Sequence, residues 1–229
     1  MHVPDQADVR AGSWQAWHAA TRPFSLLVAI SPVLAGAALG YARTGAIDWT
    51  ALGLAFAAAV LMQLITNLQN DVGFTRRGGD YLGQRIGLPR ATAQGWLALQ
   101  QVQLAVVVLS FLAAMLGLAL VAWRGWPVLA IGAASLAAAL GYMGGRRPIA
   151  YTPFGEVVAF LFFGPVAVMG TDWLLTGSTS AQTALAACCV GALTAAALAV
   201  NNHRDRTHDQ LVGRRTLAVI RGAGVSRQL

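Results

Sequence analysis

The sequence predicts an all-α protein, a polytopic transmembrane helix bundle of about six spans, and three observations carry that expectation. Of its 229 residues 56% are hydrophobic and only 11% charged, with a mean hydropathy of +0.57, outside the usual range of soluble domains. Sixteen arginines, no lysine, eight aspartates and the single glutamate Glu156 leave the apolar stretches almost free of charge. Those stretches reach the roughly 20 residues that a helix needs to cross a hydrocarbon core. This composition excludes a disordered chain, a coiled coil and a secreted disulfide scaffold.

Residues 1–22 read as a cytoplasmic interfacial lead-in. They carry Asp5, Asp8 and Arg10 without the apolar run of a secretory signal, and Trp14 and Trp17 suit a membrane interface. The spans follow in order at 24–42, 49–66, within 91–123, at 125–145, at 154–171 after a start interrupted only by Glu156, and within 173–202. Ala and Gly are frequent in them, which lets helix backbones approach closely in lipid, so a packed bundle is expected. Adjacent Cys188 and Cys189 fall in the sixth span and read as small packing residues.

Taken in order, the seven segments outside the spans hold 2, 1, 4, 1, 2, 0 and 6 arginines. The odd segments therefore hold fourteen of sixteen, the bias expected when an even number of helices keeps both termini in the cytoplasm. The net charge of +7 then belongs to membrane topology and anionic lipid heads, and no nucleic-acid partner is expected. The reading is an integral protein of the cell (inner) membrane, with residues 23–221 as the membrane domain and 222–229 as a cytoplasmic tail.

Two polar segments begin alike. Asn67, Asn70 and Asp71 close the second span, and Asn201, Asn202 and Asp205 close the sixth. Positions 67, 70 and 71 share a helix face, as do 201, 205 and 209. Both helices cross in the same direction, as in a parallel internal repeat, which would bring the two ends around one cavity. Asp71, Asp80, Asp205 and Asp209 would then face one pocket. Carboxylate and amide oxygens suit Mg²⁺ shared with a phosphate ester, and the surrounding arginines suit a diphosphate. The implied ligand has an anionic head and a lipid-loving tail.

The run Asn67-Leu-Gln-Asn-Asp-Val-Gly-Phe-Thr-Arg-Arg-Gly-Gly-Asp80 resembles the first aspartate-rich motif of the UbiA superfamily of intramembrane aromatic prenyltransferases, and Asn201-Asn-His-Arg-Asp-Arg-Thr-His-Asp209 resembles the second. Thr21-Arg-Pro-Phe-Ser-Leu with Ser31-Pro-Val-Leu-Ala-Gly36, Tyr151-Thr-Pro-Phe-Gly-Glu156 with Phe162-Phe-Gly-Pro-Val-Ala-Val-Met-Gly170, and Gly213-Arg-Arg-Thr-Leu-Ala-Val219 look like the branch that prenylates 1,4-dihydroxy-2-naphthoate on the menaquinone and phylloquinone pathway. The similarity covers about residues 20–221. It implies Mg²⁺ as cofactor, a polyprenyl diphosphate donor, an aromatic acceptor and catalysis by Asp71, Asp205 and Asp209. By the same resemblance Asn67, Asn70, Asp71 and Asp80 belong to one metal site and Asp205 and Asp209 to the other. Arg146, Arg147 and Arg214 are the diphosphate candidates, and Tyr151 and Glu156 the acceptor candidates.

Three features depart from the pattern. Phe74 stands where the first motif usually carries an aspartate, so an aspartate restored there is expected to strengthen the metal site. If the protein is instead a binding subunit, Phe74 packs against a partner or a lipid tail, and an aspartate would bury an unpaired charge. Phe24 stands where a basic or polar residue is common. Family members generally run to nine helices, and this chain ends before a seventh. A partner subunit or a second copy completing the bundle, a shortened paralogue with altered activity, and a truncated sequence all remain open. The alternative function is a non-catalytic or partner-dependent membrane protein that binds isoprenoid diphosphates.

Overall fold

The computed structural model describes residues 9–79 and 88–226, and all the regular structure among them is helical. The lead-in forms a short helix, α1 (Trp14–Thr21), started by Ser13, whose hydroxyl accepts the Ala16 N–H at 3.2 Å. Arg22 then turns the chain with φ 51° and ψ 64°, the single non-glycine residue with positive φ among those described. A 3₁₀ turn at Pro23–Ser25 leads into α2 (Leu26–Thr44).

Next come α3 (Trp49–Arg76), α4 (Leu99–Arg124) and α5 (Trp126–Met143). The fifth crossing has three parts: α6 (Gly155–Leu161), a π-helical segment (Phe162–Met169) containing Pro165, and α7 (Gly170–Thr176). The chain closes with α8 (Ala181–Arg204), α9 (Arg206–Leu211) and α10 (Leu217–Ser226). Six helical stretches are long and apolar enough to cross a membrane, as the sequence predicts.

Two boundaries differ from the expected ones. α3 continues ten residues past 66, because Asn67, Asn70 and Asp71 find partners inside the bundle rather than water. The fifth crossing continues through Asp172 to Thr176, since the Asp172 carboxylate, wholly buried, is neutralised by Arg43 of α2.

The helices form two groups. α5 packs on α3 and α4, while α6, the π segment and α8 pack on one another, and α2 touches both groups. Packing within the second group rests on glycine: a Cβ on Gly191 would stand 2.6 Å from the Phe160 carbonyl oxygen, and one on Gly164 would collide with the Ala187 carbonyl. The absent side chains allow the backbone-to-backbone approach that substitutes for hydrophobic driving force in lipid.

Candidate active site

Between the two groups lies a cavity of about 530 Å³ with walls from α2 to α8. On α3 its lining runs from Ala55 to Asn70, about 22 Å at 1.5 Å per residue. Arg22, Gln63, Asn67, Asn70 and Asn201 stand at one end; Leu120, Val128, Trp173 and Leu174 stand toward the other. The two Asn-rich segments therefore reach the same chamber, through amides rather than acids.

Asn67 is buried and structural as well as cavity-lining: its Nδ2 donates to the Thr21 carbonyl at 2.8 Å and to Ser25 Oγ at 2.7 Å, pinning the α1–α2 turn. Asn70 turns an Oδ1 that meets no hydrogen-bond partner among the described residues. Asp71, buried to 1% exposure, holds the segment that returns toward α4. Its Oδ2 accepts the Ala91 N–H at 2.9 Å, and its Oδ1 accepts the Thr92 N–H at 3.1 Å together with the Thr92 hydroxyl. Asp80 lies outside the described residues.

Phe74, one turn beyond Asp71, packs inside the chain itself, with Met143 and Ala150. Its ring is buried, with the Arg90 guanidinium 3.9 Å from its centroid and that of Arg214 5.5 Å away. His208 meets it edge-on at 6.5 Å and Tyr151 at 6.4 Å. An aspartate at this position would stand beside two guanidiniums, so its charge would not be unpaired. Arg77 joins the cluster 5.4 Å from the Tyr151 ring, and its guanidinium caps the end of α5 through the Met143 and Gly145 carbonyls at 2.9 and 2.6 Å.

In the second motif, Asp205 ends α8 and is gripped by both arms of its neighbour Arg204, at 2.7 and 2.8 Å. Asp209, a turn later and buried, accepts from Arg214 Nη1 at 2.7 Å, while Arg214 Nε donates to the Ala150 carbonyl at 2.9 Å. Burial pushes the Asp209 carboxyl above the usual carboxylate range, and Arg214 opposes that shift. Burial likewise raises the Tyr151 phenol against the pull of Arg77, Arg214 and Arg90. The Tyr151 hydroxyl and both His208 nitrogens have no hydrogen-bond partner among the described residues.

Glu156 accepts from Asn202 Nδ2 at 2.9 Å, leaving Oε2 buried without a partner among the described residues. Arg146 and Arg147 are exposed at the rim, where Arg146 lines a separate surface groove with Arg76 and Arg77. The structure thus gathers Tyr151, Asp209 and Arg214 with Phe74, and leaves Arg146 and Arg147 outside that cluster.

The donor atoms fit Mg²⁺ unequally. Among the described residues no group of three or more His, Cys, Asp or Glu is placed to hold a metal ion. In the first motif both Asp71 oxygens are occupied and position 74 offers none. In the second, Asp209 Oδ2 is buried without a partner among the described residues, and Asp205, one turn away, accepts from Arg204 through both oxygens and would share them with a metal. Two carboxylates completed by phosphate and water suit Mg²⁺.

Gln63 and Tyr142 belong to none of the motifs, whereas Arg77 and Arg90 are among the arginines that surround the acids, and Arg22 and His208 lie inside the Thr21–Leu26 and Asn201–Asp209 segments without a role of their own in the sequence. The strained backbone of Arg22 was not legible in sequence, though a basic residue before Pro23 was a signal. Tyr142 lines the cavity near the polar end, and a Cβ on Gly155 would lie 3.6 Å from its hydroxyl.

These features define a membrane-embedded helical protein with an apolar chamber whose polar end carries Arg22, Gln63 and three asparagines. The UbiA prenyltransferase family model matches residues 29–229. The chain is 35% identical over 217 residues to the 1,4-dihydroxy-2-naphthoate octaprenyltransferase of Mycobacterium tuberculosis, covering 95% of this chain and 73% of that protein. To the Escherichia coli protein of the same name it is 34% identical over 211 residues, covering 90% and 68%. Its fold is similar to the structure of a UbiA homolog from Archaeoglobus fulgidus bound to DMAPP and Mg²⁺, with a TM-score of 0.71 at 14% identity, over 93% of this chain and 72% of that one. The chain belongs to the UbiA prenyltransferase family, and it is an integral membrane enzyme of the prenyltransferase class.

Proposed function

We propose that the protein transfers a polyprenyl group from its diphosphate to 1,4-dihydroxy-2-naphthoate in the synthesis of a menaquinone-type quinone. The observation that carries this reading is the junction of two unlike environments: an apolar chamber about 22 Å deep along α3 and its polar mouth, lined by Arg22, Gln63, Asn67, Asn70 and Asn201, beyond which Arg90 donates to the Asn70 carbonyl and joins Arg77 and Arg214 around Phe74 and Tyr151. The chamber takes the prenyl tail out of water and the mouth takes the anionic head. The names of the similar proteins supply the acceptor and an octaprenyl donor.

In this reading Arg214 binds the departing diphosphate while Asp209 and the Ala150 carbonyl hold its guanidinium in place. The allylic C–O bond breaks with its electron pair leaving on the diphosphate, a ring carbon of the acceptor attacks the resulting cation, and the ring regains its aromaticity by releasing the group that carbon carried, as a proton or as carbon dioxide. Asp205 and Asp209 would hold Mg²⁺, which would supply neutralisation of charge on the leaving group. Asp71 acts by holding the 88–98 segment over the mouth. Tyr151 and Glu156 orient the acceptor, and the dry chamber protects the cation from water. The membrane domain spans 23–221 between the lead-in 1–22 and the tail 222–229, in the cell membrane with both termini cytoplasmic.

The test is turnover by purified protein in nanodiscs, given prenyl diphosphates of graded length and 1,4-dihydroxy-2-naphthoate, with and without Mg²⁺. Prenylated product and released pyrophosphate are expected, with a loss of about 10² or more in Asp209→Asn. Absence of product with every donor, in the presence of Mg²⁺, overturns the reading.

A further inference from the structure

Resting on that reading, we propose that the closed end of the chamber sets how much of a prenyl tail the protein recognises. Ala55, Leu120, Val128 and Leu174 form its floor, and Gly117, Gly132 and Gly170 keep the level above the floor open for the last five-carbon unit.

The floor is packed protein. Ala55, Leu120 and Leu174 line the chamber and are at most 8% exposed. With Ala51, Leu52 and Leu175 they belong to one buried cluster that closes the space beyond them, and Val128 packs against it. Arg124, one turn past Leu120, fixes this end: its Nε donates to the Leu174 carbonyl at 2.9 Å and its Nη2 to that of Leu175 at 3.0 Å. On the same helix Asp172 is tied to Arg43 of α2 at 2.8 Å. A close-packed floor braced in this way resists a tail that presses on it.

One turn nearer the polar end, three helices each give a glycine to the chamber wall: Gly117 of α4, Gly132 of α5 and Gly170 of α7. Glycine is less favourable than alanine inside a helix. Elsewhere in the bundle close packing offsets that disadvantage, since a Cβ on Gly36, Gly164 or Gly191 would stand 2.3, 2.4 or 2.6 Å from a carbonyl oxygen. Gly117, Gly132 and Gly170 have no such reason, because a Cβ on any of them meets no atom within 4 Å. What they share is the empty space they leave at one depth of the chamber.

Three or four positions separate each glycine from its floor residue, about 5 Å of helix rise, which matches roughly one extended five-carbon unit. With the anionic head among Asn67, Asn70 and Asn201, the depth left below it takes about three or four such units. Units beyond these lie outside the chamber and add nothing to recognition.

The test is equilibrium binding of prenyl diphosphates of increasing length, from dimethylallyl to octaprenyl, to the purified full chain in detergent with Mg²⁺ and without acceptor. For each donor the readout is the ratio of variant to wild-type Kd, in which partition of the tail into detergent cancels. Gly117→Leu fills the open level. It is expected to leave dimethylallyl and geranyl diphosphates within about twofold and to weaken geranylgeranyl diphosphate and longer donors about tenfold. Leu174→Ala deepens the floor and is expected to tighten those longer donors about threefold with the short ones unchanged. Should Gly117→Leu fail to fold, Gly132→Leu fills the same level from another helix. A ratio that is equal at every length in the filled variants overturns the proposal, since a merely structural effect weakens all donors alike. Turnover with 1,4-dihydroxy-2-naphthoate scores the reaction separately. Length-dependent ratios without product sink only the assigned reaction, product with equal ratios sinks only this inference, and a wild type that binds no prenyl diphosphate overturns both.

Discussion

Arg43 and Asp172 meet at 2.8 Å across 129 positions of sequence, at the end of the bundle opposite Asn67, Asn70 and Asn201. The carboxylate is wholly buried and its second oxygen accepts from the Thr183 hydroxyl at 2.7 Å, so α2, α7 and the start of α8 are joined at one point. Arg43→Met should destabilise the fold by about 3 kcal/mol, because it strands a buried charge. Adding Asp172→Leu should recover much of that loss. Thermal unfolding of the two single variants and the double variant measures the coupling, and additive losses would show that the pair does not act as a unit.

Asp71→Asn should loosen the 88–98 segment. An amide offers one acceptor oxygen where the carboxylate offers two, so an N–H of Ala91 or Thr92 loses its partner, at about 1–3 kcal/mol. Faster hydrogen exchange at those amides, with the rest of α3 still protected, is the expected signature. Unchanged exchange at Ala91 and Thr92 would remove the anchoring role.

Acid should loosen the start of α3. Asp48 caps that helix by accepting the Ala51 N–H and also accepts from the Trp123 indole at 2.8 Å. These bonds, the backbone one first, hold its carboxyl below the ordinary value of 3.8. A lowered pKa contributes stability that is complete above the unfolded value and is lost as pH falls through the folded one. The effect therefore appears only below about pH 4. Trp123 fluorescence followed against pH should report it in wild type and not in Asp48→Asn.

Reporter tags placed before Pro4 and after Leu229 should lie in the cytoplasm, and one beside Ser178 outside, given that fourteen of sixteen arginines sit on one side. The two exceptions are both tied down: Arg43 by Asp172 and Ser178, and Arg124 by the Leu174 and Leu175 carbonyls at 2.9 and 3.0 Å. An external carboxyl terminus would overturn the arrangement.

The spans were legible because lipid demands length and apolarity, both of which are local properties of the sequence. Asp172 was not, since what allows an acid inside the fifth crossing is an arginine on the first. The π segment escaped as well: Pro165 signals an interruption but not whether the helix stops or widens around it. At the site, the paired Asn-rich segments foretold a shared chamber, and Asn70 and Asn201 both line it. Spacing and the resemblance of the two motifs make candidate ligands of Asp71 and Asp209. The partners that occupy them, Ala91 and Thr92 for the one and Arg214 for the other, come from separate segments of the chain and follow from tertiary structure.

The chain uses no lysine, and the mouth of the chamber gives that choice a consequence. An ammonium enclosed by two aromatic rings would shed its proton as water was displaced, since burial favours the neutral amine. A guanidinium does not. An arginine therefore suits a place from which water is excluded, such as the buried face of Phe74 that Arg90 and Arg214 share. Where the surroundings are dry the attraction between such a cation and an anion is stronger than in water, which is the setting of the Arg214–Asp209 pair.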